Sequence, residues 1–308
     1  MSKIKVGVIG VGSMGQHHAR IYAGLAQVEF AGVYDADGER ARKVAAKHGC
    51  RAFATLEELL AAVDAASVSA ATTAHFELGK KLLEAGKHIL MEKPITSTTD
   101  EAVQLVELAR ARDLILQVGH IERFNPVLTA LEERLTRPRF IEAHRLSPYP
   151  ERSTDVSVVL DVMIHDLEII MHIVRSPVVS LDAVGVPVLS AAEDIANVRL
   201  RFANGCVANL TTSRISPEKL RKIRVFQDDA YLSLDYMKQE GEIYRRANGK
   251  IVRDKIPVSK DEPLQRQLAS FTNCVATHGA PIVSGDHATA ALRLAAEIIA
   301  QIRAQKLV

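Results

Sequence analysis

The amino-acid sequence predicts two folds in succession: an α/β, doubly wound parallel sheet at the N-terminal end, then an α+β domain with one large, open and mostly antiparallel sheet. Three observations predict this. Through roughly the first 120 residues, short apolar runs alternate with longer helical patterns, which is how a doubly wound parallel sheet reads. From 177 to 257 apolar and polar residues instead alternate one by one, and Gly, Asn and Asp punctuate the runs, as in antiparallel sheet. The length of 308 residues also exceeds what one hydrophobic core usually serves.

Taken in order, the predicted strands of the first part are 5–9, 29–34, 66–70, 88–91 and 115–118. Helical patterns lie between them at 15–25, 39–47 and 101–112, the last with Val103, Val106 and Leu108 toward a core and charges on the other face. Parallel strands need crossovers of this length. A further helical pattern covers 159–174. In 197–203, Val198, Leu200 and Phe202 share one face of a strand and Asn197, Arg199 and Arg201 the other. Asn204-Gly205 then supplies a type I′ hairpin signal before 206–212, and Asn248-Gly249 repeats the device between 243–246 and 251–254. Helices at 264–277 and 287–305 close the chain.

Hydrophobic residues at 47% and charged residues at 25% are both near the globular average, which excludes disordered, collagen-like and fibrous classes. Thirty-nine Lys and Arg against 37 Asp and Glu leave a formal charge of +2, too balanced for the basic footprint of a nucleic-acid binder. The start, Met-Ser-Lys-Ile-Lys-Val, lacks a signal-peptide layout, and no run of about 18 apolar residues exists, so a soluble, cytoplasmic protein without membrane contact is expected. Cys50, Cys206 and Cys274 are odd in number and far apart, without C-x-x-C spacing. That fits a reducing compartment, with neither a disulfide framework nor a metal site expected.

Gly10-Val-Gly12-Ser13-Met14-Gly15 follows an apolar strand directly and opens a helical pattern, the context in which G-x-G-x-x-G binds a dinucleotide. Gly10 permits the tight turn, Gly12 lets the backbone approach a pyrophosphate, and Gly15 allows close helix-to-strand packing. The helix N-terminus behind Ser13 and Met14 offers free N–H groups. Asp35, twenty residues past Gly15, ends the second strand, where a carboxylate accepts hydrogen bonds from the adenosine ribose. This favours NAD over NADP, because a 2′-phosphate would meet that charge. Read alone, Asp35 is also an exposed carboxylate in the turn Ala36-Asp37-Gly38. Arg40 either lies over the adenine or is a solvated helix residue.

The stretch Glu84-Ala-Gly86-Lys-His-Ile-Leu-Met-Glu92-Lys93-Pro94 is a strand entered by A-G-K-H and left by E-K-P. Together with the glycine loop and Asp161-x-x-x-His165, it closely resembles the Gfo/Idh/MocA oxidoreductases across essentially the whole chain. The resemblance implies a dinucleotide-binding Rossmann domain over 1–121 and a substrate-binding and oligomerisation domain over 122–308. It also implies that Glu92 and Lys93 end a strand at the nicotinamide, that Lys93 helps bind the substrate hydroxyl, and that Asp161 and His165 bring the other catalytic groups.

The residue types suit those roles. A strand's carboxyl end faces the ligand crevice of an open α/β sheet, and an ammonium there polarises an alcohol oxygen. Asp161 and His165, four apart in a helical pattern, share a face. His165 can accept the hydroxyl proton near neutral pH while hydride leaves the same carbon for the nicotinamide, and Asp161 would orient the substrate or the imidazole. Taken singly, Lys93 also reads as a surface lysine and Asp161 with His165 as an exposed helix pair. His17, His18 and His172 read as structural. Two departures from the family pattern stand out: Thr72, Thr73 and His75 where a proline-containing cofactor loop is usual, making Thr72 and His75 candidate cofactor contacts, and Met163 and Glu168 where glycine and aspartate are frequent.

For the substrate, Arg123 and Asn125 in Gly119-His-Ile-Glu-Arg123-Phe-Asn125-Pro126 fall at the domain junction, though Asn-Pro also starts helices. Arg214, Lys219, Arg221, Lys222 and Arg224 form a basic segment, read either as a solvated loop or as a receptor for a diphosphate-sized anion, with Arg214 and Lys219 as the candidate contacts. These segments resemble the family branch that acts on nucleotide sugars. That implies oxidation of the 3-hydroxyl of a UDP-sugar such as UDP-N-acetylglucosamine to a ketone. The alternatives are a dehydrogenase of a free sugar or inositol, and a non-catalytic NAD-binding regulator. An open sheet with an apolar face needs a cover, and the resemblance implies that such sheets pack against one another, so a homodimer or homotetramer is expected.

Overall fold

A computed structural model describes residues 3–149 and 156–305 of the chain. They form two compact units, Met1–Ile121 with Leu264–Thr289, and Glu122–Pro263 with Ala290–Val308.

In the first unit the elements are β1 (Ile4–Ile9), α1 (Gly15–Gly24), β2 (Val28–Tyr34), α2 (Gly38–His48), β3 (Arg51–Ala52), α3 (Leu56–Ala62), β4 (Ala65–Val68), α4 (His75–Glu84), β5 (His88–Glu92), α5 (Thr99–Ala111) and β6 (Leu116–Gly119). All six strands are parallel, in the order β3-β2-β1-β4-β5-β6. The order reverses between β1 and β4, and in such sheets the crevice at that reversal receives the ligand. Every residue of β4 and β6 is buried, as expected of parallel strands covered on both faces. Local signals set the helix starts: Thr98 and Glu101 form a reciprocal capping box on α5, and the Asp37 carboxylate accepts the Glu39 and Arg40 amides at α2. The helix at 264–277 belongs to this unit because its Leu264, Leu268, Phe271 and Val275 enter the same apolar cluster as Val6, Val8 and Val33.

The second unit contains α6 (Pro126–Glu132), β7 (Pro138–Leu146), α7 (Ile164–Val174), β8 (Val178–Val186), β9 (Ile195–Phe202), β10 (Val207–Ser213), β11 (Leu220–Gln227), β12 (Tyr231–Asp235), β13 (Glu240–Ala247) and β14 (Lys250–Ile256). The chain then runs through α8 (Pro263–Thr277) and α9 (Gly285–Gln305). The eight strands are ordered β14-β13-β12-β11-β7-β10-β9-β8, antiparallel throughout except for the parallel pair β7 and β10. One face packs on α7 and α9 through residues such as Val198, Leu210, Val225, Leu167 and Ile298. Each fully buried aliphatic side chain of this kind stabilises by about 1.5–3 kcal/mol.

The two Asn-Gly signals resolve differently. At Asn248-Gly249 both residues have positive φ, 50° and 77°, as a two-residue type I′ turn requires. At Asn204-Gly205 only Gly205 does, with φ 85°, so the type I′ expectation is corrected there. Gly205 N–H donates to Phe202 O and Phe202 N–H to Cys206 O, closing a three-residue loop. The exposed Asn204 instead ties the loop to neighbouring backbone, its side chain donating to Val174 O and accepting from Cys206 N–H.

Among the described residues no helix is long and apolar enough to cross a membrane. One buried ion pair ties the end of β10 to the β8–β9 loop. Arg214 and Asp194 are 1% and 0% exposed, with Nε 2.8 Å from Oδ1, and Arg214 Nη1 also donates to Val156 O. The other Asp194 oxygen accepts the amides of Val188, Leu189 and Ser190. Burial pushes this carboxyl up, but the Ser190, Leu189 and Arg214 donors hold it well below the usual carboxylate range. Arg214→Met strands a buried carboxylate and should lower the unfolding free energy by about 3 kcal/mol, read as a shift of the urea midpoint; an unmoved midpoint would refute the assignment.

Candidate active site

The glycine loop leaves β1 at its carboxyl end. Gly10 has φ +80°, and a Cβ there would stand 2.7 Å from Ala70 N in the turn after β4. A Cβ on Gly15 would stand 1.8 Å from Gly10 O, so α1 is pressed directly onto the loop. At Gly12 a Cβ would meet no protein atom within 4 Å. Packing does not demand that glycine; it keeps open the space before α1, whose first turn has neither a side-chain cap nor an acidic residue. Ser13 and Met14 are exposed in the same turn. Backbone amides and a positive helix end facing open space fit a pyrophosphate.

Asp35 sits where the sequence reading places it and has an additional task. It is 9% exposed; its Oδ2 accepts Val11 N–H at 2.7 Å and its Oδ1 accepts Asp37 N–H at 2.9 Å, so the carboxylate braces the glycine loop. Arg40, half exposed, pairs with it at 3.3 Å. Arg40 Nη1 also donates to both oxygens, at 3.3 Å and 3.5 Å, so a ribose hydroxyl would take the place of this half-exposed guanidinium on the carboxylate.

At the carboxyl end of β5, Glu92 turns inward. Its Oε1 lies 3.1 Å from His18 Nε2 and 3.4 Å from Gln267 Nε2, and a Cβ on Gly119 would stand 2.5 Å from the same oxygen, so a larger residue there would have to displace the carboxylate. Lys93 follows, half-buried. Thr72 opens a short 3₁₀ turn, Thr72–Ala74, and is half-buried. His75 is 1% exposed, with both ring nitrogens turned to backbone carbonyls, Pro94 O at 2.9 Å and Ala70 O at 3.1 Å.

In the second unit, Asp161 lies in a π-helical turn, Val159–Met163, that runs into α7. Ile164 N–H donates to Val159 O, five residues back, so the simple α-helical spacing between Asp161 and His165 is widened by this turn. Both side chains remain half-buried, whereas Met163, Ile164, Asp166, Leu167 and Glu168 are all buried. The face carrying the two candidate groups is therefore the open one. Such π turns occur often at functional sites.

A buried charge network anchors that helix. Arg145, on the inward face of β7, forks onto Asp166 (Nε to Oδ2 2.9 Å, Nη2 to Oδ1 2.8 Å) and donates through Nη1 to Glu122 at 2.9 Å. Arg221 adds a contact to Glu122 at 3.3 Å, balancing two cations against two carboxylates. Arg123 pairs with Glu168 at 2.6 Å. The longer glutamate, where the family often has aspartate, is thus engaged by the arginine. Asn125 caps α6 through Val127 N–H and donates to Glu122 and Tyr236 O. Arg123, Asn125 and Arg214 therefore serve the interior of the unit, while Lys219 is exposed. Arg145 and Asp166 were missed in sequence; the available signal was a lone arginine in phase with Ile141 and Ala143 on an alternating strand.

Residues 4–120 match the oxidoreductase family with an NAD-binding Rossmann fold, and residues 131–233 match the Gfo/Idh/MocA C-terminal domain. The chain belongs to the Gfo/Idh/MocA family of oxidoreductases. Among its relatives, UDP-N-acetylglucosamine 3-dehydrogenase of Acidithiobacillus ferrooxidans is 39% identical over 285 residues, covering 90% of each chain. The solved structure of that organism's UDP-N-acetylglucosamine 3-dehydrogenase GnnA superposes with a TM-score of 0.94 at 37% identity, covering 99% of both chains. Inositol 2-dehydrogenase of Leifsonia xyli is 31% identical over 189 residues, 58% of this chain and 56% of its own.

Two outcomes test the geometry. Gly12→Ala should leave thermal stability nearly unchanged yet weaken dinucleotide binding about ten-fold or more, whereas Gly15→Ala should destabilise the free protein; equal effects in a thermal-shift and titration series would contradict the assignment. For Glu122, burial pushes the carboxyl up, but Arg145, Arg221 and Asn125 more than reverse this and hold it below the usual range. Its contribution is then fully present above the ordinary glutamate pKa of about 4.3 and is lost as pH falls through the lower folded value. Glu122→Gln should be less stable than the parent near pH 7, and the gap in urea midpoint should close below about pH 4.

Proposed function

We propose that this chain is an NAD-dependent dehydrogenase that oxidises the 3-hydroxyl of UDP-N-acetylglucosamine to a 3-keto sugar. The observation that carries the substrate is the likeness to UDP-N-acetylglucosamine 3-dehydrogenase, which runs the length of both chains, where the inositol dehydrogenase match covers little more than half. The glycine loop with Ser13, Met14 and Asp35 would hold the dinucleotide, with Arg40 and Thr72 beside it. Asp35 favours NAD, since a 2′-phosphate would meet its charge. When bound, NAD supplies the two-electron acceptor for the hydrogen on the sugar C3.

This chain's own groups handle the oxygen and the proton. The Lys93 ammonium donates to the reacting hydroxyl oxygen and stabilises the charge that develops there. His165 accepts the hydroxyl proton on its imidazole near neutral pH, and Asp161 orients the sugar or the ring. Lys219 is the proposed contact for the diphosphate. On this reading residues 1–121, joined by 264–289, form the cofactor portion, and the remainder of 122–308 the substrate and assembly portion. A homo-oligomer built on the eight-stranded sheet suits the row Phe140, Phe226, Tyr231 and Tyr244, in ring contact across four strands at centroid spacings of 5.5, 4.6 and 5.1 Å. Three free cysteines suit the cytoplasm.

The test is NADH absorbance with NAD and UDP-N-acetylglucosamine, free N-acetylglucosamine and myo-inositol in parallel. NADH formation is expected with the UDP-sugar alone, and Lys93→Ala and His165→Ala should each lower kcat by about 10²-fold or more with NAD affinity retained. Turnover of the free sugars instead would overturn the substrate, and NAD binding without any turnover would overturn the dehydrogenase in favour of a ligand sensor.

A further inference from the structure

A lysine is a point charge on four methylenes, and it serves one reacting oxygen only if the backbone beneath it is held in place. At Lys93 that backbone is gripped on both sides. Before it, the Oε1 of the buried Glu92 carboxylate lies 3.1 Å from His18 Nε2 and accepts from Gln267 Nε2 at 3.4 Å. After it, the Pro94 carbonyl lies 2.9 Å from His75 Nδ1. The opposite nitrogen of the same ring lies 3.1 Å from Ala70 O. Ala70 in turn is the residue against which Gly10 packs, so closely that no Cβ fits between them. One imidazole therefore links the turn that abuts the glycine loop to the turn that carries Lys93.

The chemistry of the contacts separates this ring from a residue that merely fills space. Both partners are carbonyl oxygens, which only accept. A neutral imidazole satisfies one of them through its single N–H, and the imidazolium satisfies both. Burial pushes the proton off the ring and outweighs the Pro94, Ala70 and Ile95 backbone and the Glu92 charge, so the neutral ring donates to one carbonyl and packs against the other. An apolar side chain of the same size would leave both carbonyls without the ring's N–H. With both nitrogens committed to backbone, the ring edge is engaged inside the unit rather than turned out as a direct cofactor contact.

We propose that His75 is a positioning residue for Lys93: its ring clamps the Pro94 carbonyl to the Ala70 turn and so sets the lysine in register with the glycine loop. The proposal rests on the catalytic role given to Lys93 above. A displacement of about 1 Å at a reacting group costs up to about 10²-fold in rate, so loss of the clamp belongs in kcat rather than in binding.

The experiment uses the full chain with His75→Leu, His75→Gln and His75→Asn, and reads two signals. The first is kcat, KM and the NAD dissociation constant. The second is the dimethyl-lysine NMR resonance of Lys93 after reductive methylation with ¹³C-formaldehyde, assigned with Lys93→Arg. His75→Leu should lower kcat about ten-fold or more while KM and NAD affinity move less than about three-fold, and should broaden or split the Lys93 resonance. His75→Gln, whose amide carries two N–H donors on a reach near that of the ring, should recover kcat to within about three-fold and restore a single resonance. Parent-like kcat and a sharp resonance in the leucine variant overturn the proposal, as does a fall in NAD affinity that matches the fall in kcat, which would make His75 a cofactor contact. Should His75→Leu fail to fold, His75→Asn takes its place: its shorter amide cannot span both carbonyls, so parent-like behaviour there overturns the proposal as well. The resonance reports on Lys93 whether or not the chain oxidises UDP-N-acetylglucosamine. A silent parent enzyme therefore counts against the proposed activity, while a resonance indifferent to His75 counts against the clamp.

Discussion

The cofactor end of the first unit depends on one close approach, the Gly10 backbone against Ala70. Because β1 and β4 are neighbours in the sheet, the turns that leave them meet there, and only a residue without a Cβ allows the meeting. Much of the neighbourhood follows from it. α1 can press Gly15 onto Gly10 O because Gly10 is already folded back, and Asp35 can reach Val11 N–H because β2 lies on the other side of β1. The amides at the start of α1 then face open space. A dinucleotide site of this kind is a consequence of strand order more than of any single side chain.

The second unit depends on charge rather than on close approach. Burying Arg145, Glu122, Asp166, Arg123 and Glu168 in one region removes each from water at considerable cost, and such networks rarely add net stability over a hydrophobic alternative. What they supply is direction. A bidentate fork accepts one orientation, and Asp166 is the chain neighbour of His165. The aliphatic contacts of α7 with the sheet tolerate small slides and rotations; the fork does not. The π turn at Val159–Met163 adds to this, because it sets Asp161 on the open face just before the helix becomes regular.

Membership of the Gfo/Idh/MocA family sits easily with the places where this chain departs from the usual pattern. Glu168 meets Arg123, so the longer carboxylate is engaged by a partner on α6's approach. Met163, where glycine is frequent, is fully buried within the π turn and contributes to the apolar cluster of the second unit. The loop after β4 lacks the usual proline, and the His75 ring that follows it lies between Pro94 O and Ala70 O.

Several features were set by the sequence alone. Periods of 3.6 and 2 separated the parallel from the antiparallel sheet, since a side chain's face depends only on its own backbone and its near neighbours. The glycine loop, Asp35 and E-K-P were readable for the same reason: each is a short motif whose residue types are demanded at fixed offsets. Only the tertiary structure decided the rest. It placed β7 at the centre of its sheet, parallel to β10 across some sixty residues, and returned α8 to the first unit's core. It turned Arg214 from a member of a basic segment into half of a buried ion pair, and set the His75 ring between the carbonyls of Pro94 and Ala70. Partners such as Asp194 for Arg214, or Pro94 for His75, are chosen by which segments the fold brings side by side, and the energy that selects them is that of desolvated groups meeting far from each other in the chain.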